Sequence, residues 1–143
     1  MSGRVPVAAL ERLAETLADT AGELEWSLNG GRDGRGRPQL VLTVSGGLRL
    51  TCQRCLKPLE FELDAESSLL LIKPGVELPA DEEDEAPDAI EASETQDVLA
   101  LVEDEALLAL PIAPRHDRCE LPGGVSTNQE SSPFAALAQL KKH

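Results

Sequence analysis

Four residues that can bind a metal occur as two pairs with the same spacing. Cys52 and Cys55 are separated by two residues, and His116 and Cys119 repeat that spacing later in the chain. Three thiolates and one imidazole are the number and type of ligands that a closed structural zinc site requires. The sequence therefore predicts a zinc site of Cys52, Cys55, His116 and Cys119, provided that the fold brings the second pair to the first.

Two other interpretations of these pairs stay open. Cys52 and Cys55 can be ordinary reduced thiols, with His116 a surface or capping residue, or they can form a redox dithiol. No strand–helix–strand pattern near the cysteines supports the redox interpretation. Three cysteines, no signal-like apolar run and no apolar run of about 20 residues favour a cytoplasmic protein that does not cross a membrane.

Alternating apolar residues on both sides of Cys52 and Cys55 predict a hairpin that carries these cysteines at its tip. We call residues 51–58 the knuckle. Further alternation predicts an antiparallel meander of about four strands, with a tight turn at residues 45–47. The predicted strand residues are 24–28, 40–44, 48–52 and 59–65, the last of these extended by 69–72.

Two helices are expected to pack on this sheet. Apolar residues at helical spacing predict one helix over residues 5–21, and a second that is capped by Thr95 or Asp97 and ends before Pro111. Glu103, Asp104 and Glu105 are expected on the solvated side of the second helix. The predicted fold is α+β, with a single domain over residues 1–120.

The net charge of −13 is concentrated in one part of the chain. Half of the 26 acidic residues lie from Glu77 to Glu105, where there is no lysine or arginine, and the other half equal the 13 basic residues in number. We call residues 77–94 the acidic loop. It has too few apolar residues to offset the entropy of ordering, so it is predicted to be mobile. A flexible linker and a short C-terminal helix are expected over residues 121–143.

Basic residues are candidates for contact with RNA phosphates. They are expected to gather at one end of the protein, although they can also be scattered, with the acidic run only a solubilising tail. The candidate RNA-binding residues are Arg32, Arg35, Arg37, Arg49, Arg54, Lys57, Arg115 and Arg118. The first three lie in a glycine-rich loop that can equally be a plain hairpin connection.

Two further groups are candidates for binding a protein partner. The carboxylates of Glu103, Asp104 and Glu105 would attract a basic partner. Near the C-terminus, Phe134, Leu137 and Leu140 form an apolar stripe on the predicted short helix over residues 133–142. That helix is expected either to dock on the domain or to fold on a partner.

Three stretches of the chain together resemble the YceD family: the knuckle, residues 102–119 and residues 132–141. The resemblance implies a non-enzymatic factor that supports accumulation of large-subunit ribosomal RNA. Its implied partners are precursor RNA or a small basic ribosomal protein of the large subunit. The region before Leu24 is shorter than expected for the family, which argues against an N-terminal strand. The alternative function is a zinc-stabilised regulatory adaptor that binds only proteins and affects ribosomal RNA indirectly.

No set of a nucleophile, a base and an orienting group points to an enzyme.

Overall fold

The computed structural model describes residues 1–77 and 88–119, which form a five-stranded sheet packed by two helices. The strands are β1 (Ser2–Pro6), β2 (Glu23–Arg32), β3 (Pro38–Thr51), β4 (Pro58–Ile72) and β5 (Ala89–Glu91). The helices are α1 (Glu11–Thr16) and α2 (Val98–Ala109), and a single 3-10 turn, Val7–Ala9, precedes α1. The prediction of an α+β fold is confirmed.

The strands lie in the order β1-β2-β3-β4-β5, so neighbours in the sheet are also neighbours in the chain. The first four are antiparallel, as predicted, but β5 pairs with β4 in parallel. β5 lies inside the acidic loop, and its Ile90 is half-buried opposite Leu71. The prediction that this loop is mobile as far as Glu94 is therefore wrong at β5, while residues 78–87 lie outside the described part of the chain.

The predicted tight turn at residues 45–47 is absent, because β3 passes straight through these residues. Gly46 has a positive φ of 151° and lies close to β2, where an added Cβ would be 2.7 Å from the carbonyl oxygen of Glu23. The glycine allows two strands to approach closely instead of reversing the chain. As a result β3 and β4 form one long ladder, from Gln39 opposite Leu70 to Thr51 opposite Pro58.

The N-terminal region is a strand, a 3-10 turn and a short helix, so the prediction of one helix over residues 5–21 is wrong. Val5 pairs with Leu24 of β2 and is buried, which also overturns the expectation that no strand precedes Leu24. Helix α1 ends early because the backbone N–H of Ala18 donates a hydrogen bond to the carbonyl of Arg49 in β3, 2.7 Å away. That bond draws the chain back to the sheet.

Helix α2 forms as predicted and crosses the same face of the sheet as α1. Asp97 caps it, since its Oδ1 accepts a hydrogen bond from the N–H of Ala100 at 3.1 Å. Val102 and Ala106 on α2 are fully buried against the aliphatic core of the sheet. The helix runs towards the knuckle, where Leu107 and Leu110 approach Leu50.

Glu103 is buried, which corrects the prediction that it is solvated. It is 8% exposed, and its two carboxylate oxygens accept hydrogen bonds from the backbone N–H of Leu13 at 3.1 Å and from Nε of Arg12 at 2.9 Å. Helical spacing places residue 103 beside buried Val102 and Ala106, facing α1. A carboxylate fits there because the N-terminal half of α1 has backbone N–H groups without helical partners. Glu103 thus joins the two helices.

Candidate metal centre

The structure brings the two predicted ligand pairs together at the knuckle. One ligand atom from each of Cys52, Cys55, His116 and Cys119 lies within 4.8 Å of all the others. The Sγ atoms of Cys52 and Cys119 are 3.7 Å apart, and Sγ of Cys55 is 3.3 Å from Nδ1 of His116. Ligands of a tetrahedral zinc ion are separated by about 3.5–3.8 Å, as follows from its bond lengths. The cluster therefore has the size and ligand types that fit this ion.

Backbone hydrogen bonds shape the knuckle independently of any metal. The N–H of Cys52 donates to the carbonyl of Lys57, and the N–H of Leu56 donates to the carbonyl of Cys52, both at 2.9 Å. Leu56 has a φ of 60°, the left-handed region that non-glycine residues rarely adopt. This tight closure turns both cysteine side chains inward, and both cysteines are buried.

Residues 114–119, which we call the return segment, dock on the knuckle through the backbone. The N–H of Gln53 donates to the carbonyl of Pro114 at 2.8 Å, and the N–H of His116 points at Sγ of Cys52, 3.4 Å away. On the other side of the imidazole, Nε2 of His116 is 3.2 Å from the carbonyl oxygen of Pro58. A carbonyl only accepts, so Nε2 donates this hydrogen bond, and Nδ1 is the ring nitrogen that faces Sγ of Cys55 and would bind a metal there.

The role of Pro58 could not be predicted from the sequence, because every residue has a backbone carbonyl and the residue type gives no signal of its partner.

The hydrogen bonds to sulfur favour the form of cysteine that binds metal. Burial raises the pKa of Cys52, but backbone N–H groups of Cys55, His116 and Arg54 outweigh burial and lower this pKa to about 5. The Cys52 side chain is therefore a thiolate at neutral pH. Burial raises the pKa of Cys119, and the neighbouring Cys52 and Cys55 side chains raise it further. A divalent cation among these sulfurs would favour deprotonation of Cys119 as well.

Four of the predicted RNA-binding residues surround this cluster. Arg54 and Lys57 lie on the knuckle, Arg115 and Arg118 lie on the return segment, and all four side chains are exposed. Lys57 and Arg118 line a cleft of about 380 Å³ together with Cys55, His116 and Cys119. Within residues 1–77 and 88–119, none of these four cations forms an ion pair.

The other predicted RNA-binding residues lie elsewhere, so the expectation of a single basic end is wrong. Arg32, Arg35 and Arg37 lie at the hairpin between β2 and β3, at the opposite end of β3 from the knuckle. A strand of 14 residues separates the two ends by about 40 Å. Arg49 lies on β3 and pairs with Asp19 at 3.2 Å.

The glycine-rich loop between β2 and β3 is ordered by its own hydrogen bonds. Nη1 of Arg32 donates to the carbonyl of Gly36 at 2.7 Å. Asp33 accepts from both the backbone N–H and Nε of Arg37, at 2.8 and 2.7 Å. The backbone N–H of Arg35 also donates to Oδ1 of Asp33, at 2.9 Å, so all three arginines are engaged within the loop, which supports its interpretation as a structured hairpin connection.

The predicted partner-binding residues are also separated. Glu103 is buried, Asp104 pairs with Arg12 at 2.7 Å, and Glu105 is half-buried. Phe134, Leu137 and Leu140 lie outside the described residues. A row of exposed carboxylates on the uncovered face of β4 was not predicted, although the alternation of these residues is visible in the sequence. These are Glu60, Glu62, Asp64 and Glu66.

A hairpin that carries a Cys₃His cluster, packed by two helices, defines a small α+β protein with a knuckle that could hold a metal ion. The chain belongs to the YceD family, described as "Large ribosomal RNA subunit accumulation protein YceD", which it matches over residues 40–141. A protein of that name from Haemophilus influenzae is 30% identical over 152 residues, covering 93% of this chain and 82% of the relative. The resemblance seen in the sequence is thereby confirmed.

No solved structure matches the chain. Among the helices of the described residues, none is long and apolar enough to span a membrane.

Proposed function

We propose that this protein is a non-enzymatic cytoplasmic factor that supports accumulation of large-subunit ribosomal RNA by binding precursor RNA through its knuckle. The family description supplies the link to ribosomal RNA. We infer the mode of binding from the four exposed cations around the Cys₃His cluster. Polyanions bind such groups by exchanging their counterions for protein cations.

Zinc is the proposed metal of the cluster. Three sulfur ligands and one imidazole, all within 4.8 Å of one another, favour zinc over magnesium and calcium, which prefer oxygen ligands. The ion would fix the return segment to the knuckle, and with it Arg115 and Arg118 beside Arg54 and Lys57. Its proposed role is structural, since four protein ligands leave no open position for a substrate.

The contact is proposed to be with phosphates rather than bases. The knuckle and the return segment contain no phenylalanine, tyrosine or tryptophan on which a base could stack, and the ring of His116 is engaged with Cys55 and Pro58. Arginine and lysine contacts to phosphates position a protein on RNA without reading its sequence. Selection of large-subunit RNA would therefore depend on RNA shape or on a second partner. We propose that this partner is a small basic ribosomal protein, attracted to the acidic residues.

Purification of the tagged protein from cells, with and without ribonuclease, tests the RNA contact. Large-subunit precursor RNA should co-purify with the wild-type protein. The double variant Arg54→Glu/Lys57→Glu should lose it, whereas the matched double variant Arg32→Glu/Arg35→Glu at the far end of β3 should keep it. If a basic ribosomal protein stays bound after ribonuclease while no RNA is recovered, the adaptor function replaces our proposal.

Metal analysis of the purified protein tests the zinc site separately. The wild-type protein should contain one zinc ion per chain, and Cys119→Ser or His116→Ala should contain much less. His143→Ala removes the other histidine of the chain and should leave the zinc content unchanged. A wild-type protein purified without chelator that contains no zinc would contradict this assignment.

A further inference from the structure

An apolar groove lies between the knuckle and the C-terminal end of α2. It has a volume of about 340 Å³, and Thr16 at the end of α1 closes one side. Its apolar lining consists of Leu50, Leu107, Leu110, Pro111, Ile112 and Pro114. Ile112 is fully exposed, and Leu108 on the adjacent turn of α2 is 79% exposed. Such adjacent exposed aliphatic side chains indicate a surface that binds something apolar.

We propose that residues 133–142 of the same chain bind in this groove as a short amphipathic helix. Phe134, Leu137 and Leu140 recur every third residue, which places their side chains along one side of a helix. Pro133 suits the first turn of a helix, and the lysines at 141 and 142 suit its last turn. Ten residues are too few to be helical alone in water, so this helix needs a surface to form on.

The position of Cys119 favours this segment over a separate protein as the occupant. Cys119 lies at the metal cluster, 3.7 Å from Cys52, and Pro114 in the groove wall is only five residues earlier in the chain. The 13 residues from 120 to 132 can extend to roughly 45 Å. As a flexible linker they would have an end-to-end distance of about 20 Å. The segment therefore reaches the groove without strain.

Because residues 120–132 link the segment to the groove covalently, even weak binding would keep the groove occupied. A short flexible linker holds a segment at a local concentration in the millimolar range, far above that of most separate partners. The match to the family extends to residue 141, so the segment belongs to the same family pattern as the knuckle and α2. Both observations favour binding within one chain.

Photo-cross-linking of the full-length protein tests the proposal without RNA, so its outcome does not depend on the proposed function. A benzophenone side chain at position 137 should cross-link to residues 107–114 or 50–53 of the same chain, as mapped by mass spectrometry. The same group at position 139, on the other side of the helix, should give far fewer of these products. Cross-links that join two chains, or that fall on other parts of the chain, would overturn the proposal.

Amide hydrogen exchange gives an independent measurement on the native side chains. Leu137→Asp should speed exchange of the amides at the C-terminal end of α2 by roughly tenfold, because local opening no longer requires release of the bound helix. Gln139→Asp introduces the same charge on the polar side and should leave these rates nearly unchanged. Equal rates in the wild-type protein and Leu137→Asp would contradict docking in the groove.

Discussion

Removal of the Glu103 carboxylate should destabilise the protein more than removal of any neighbouring charge on α2. Glu103→Ala leaves the N–H of Leu13 without a partner, and Leu13 is fully buried. The substitution also removes the bond from Arg12. The loss of a charged acceptor from a buried donor costs about 2–3 kcal/mol. With a urea dependence of about 2 kcal/mol per molar, the unfolding midpoint should fall by roughly 1 M.

The pH dependence gives a second signature of the same group. Burial raises the pKa of Glu103, but the hydrogen bonds from Leu13 and Arg12 outweigh burial, so the net shift lowers this pKa in the folded state. A lowered pKa contributes stability above the unfolded value of about 4.3, and this stability is lost as pH falls through the folded pKa. The difference in unfolding free energy between wild type and Glu103→Gln should be constant near neutral pH, between about pH 6 and 7. It should shrink when the pH falls below roughly 4.

Urea unfolding followed by circular dichroism measures both effects, and Glu105→Ala and Glu105→Gln are the matched controls. Glu105 is half-buried and carries the same charge two positions along α2. If Glu103→Ala and Glu105→Ala differ by less than about 0.5 kcal/mol, the buried carboxylate does not hold the two helices together. A gap between wild type and Glu103→Gln that is equal at acidic and neutral pH would refute the linkage.

Two further predictions concern backbone geometry. Gly46→Ala should destabilise the protein by about 2 kcal/mol or more, because the new Cβ would lie 2.7 Å from Glu23 and 2.8 Å from Leu24. Gly47→Ala is the control, since its Cβ would have no neighbour closer than 3.9 Å. Urea unfolding should show this control to be nearly as stable as the wild-type protein. Leu56→Gly should leave the free energy of unfolding unchanged or raise it by up to about 1 kcal/mol, because relief of the left-handed strain opposes the added freedom of the unfolded chain. A clear loss of stability in thermal unfolding would show that the Leu56 side chain has another role.

The features that could be predicted from the sequence depend on local spacing. The two ligand pairs were visible because each pair has a fixed spacing and a distinctive residue type, and Asp97 was visible as a cap before an apolar run. The return of His116 and Cys119 to the knuckle required the tertiary fold, which the spacing alone does not contain.

The errors arise where tertiary contacts override local pattern. Val5 can begin the helical pattern of residues 5–21 or end a strand, and its pairing with Leu24 of β2 decides for the strand. Gly46 has the residue type of a turn but serves a close contact between strands. Glu103 resembles a solvated charge until α1 supplies the N–H of Leu13. The division of the arginines between two ends follows from the unbroken length of β3, which the false turn concealed.

The parallel pairing of β5 with β4 determines where the negative charge of the chain is attached. Because β5 pairs with the last residues of β4, at the end of the sheet far from the knuckle, Asp88 lies at that end, and the five carboxylates at positions 81–85 precede it closely in the sequence. The distance of about 40 Å between the ends is several Debye lengths at physiological ionic strength, where one Debye length is about 8 Å. Counterions therefore screen the knuckle from the acidic end, so a chain with a net charge of −13 can still present a positive surface to a polyanion.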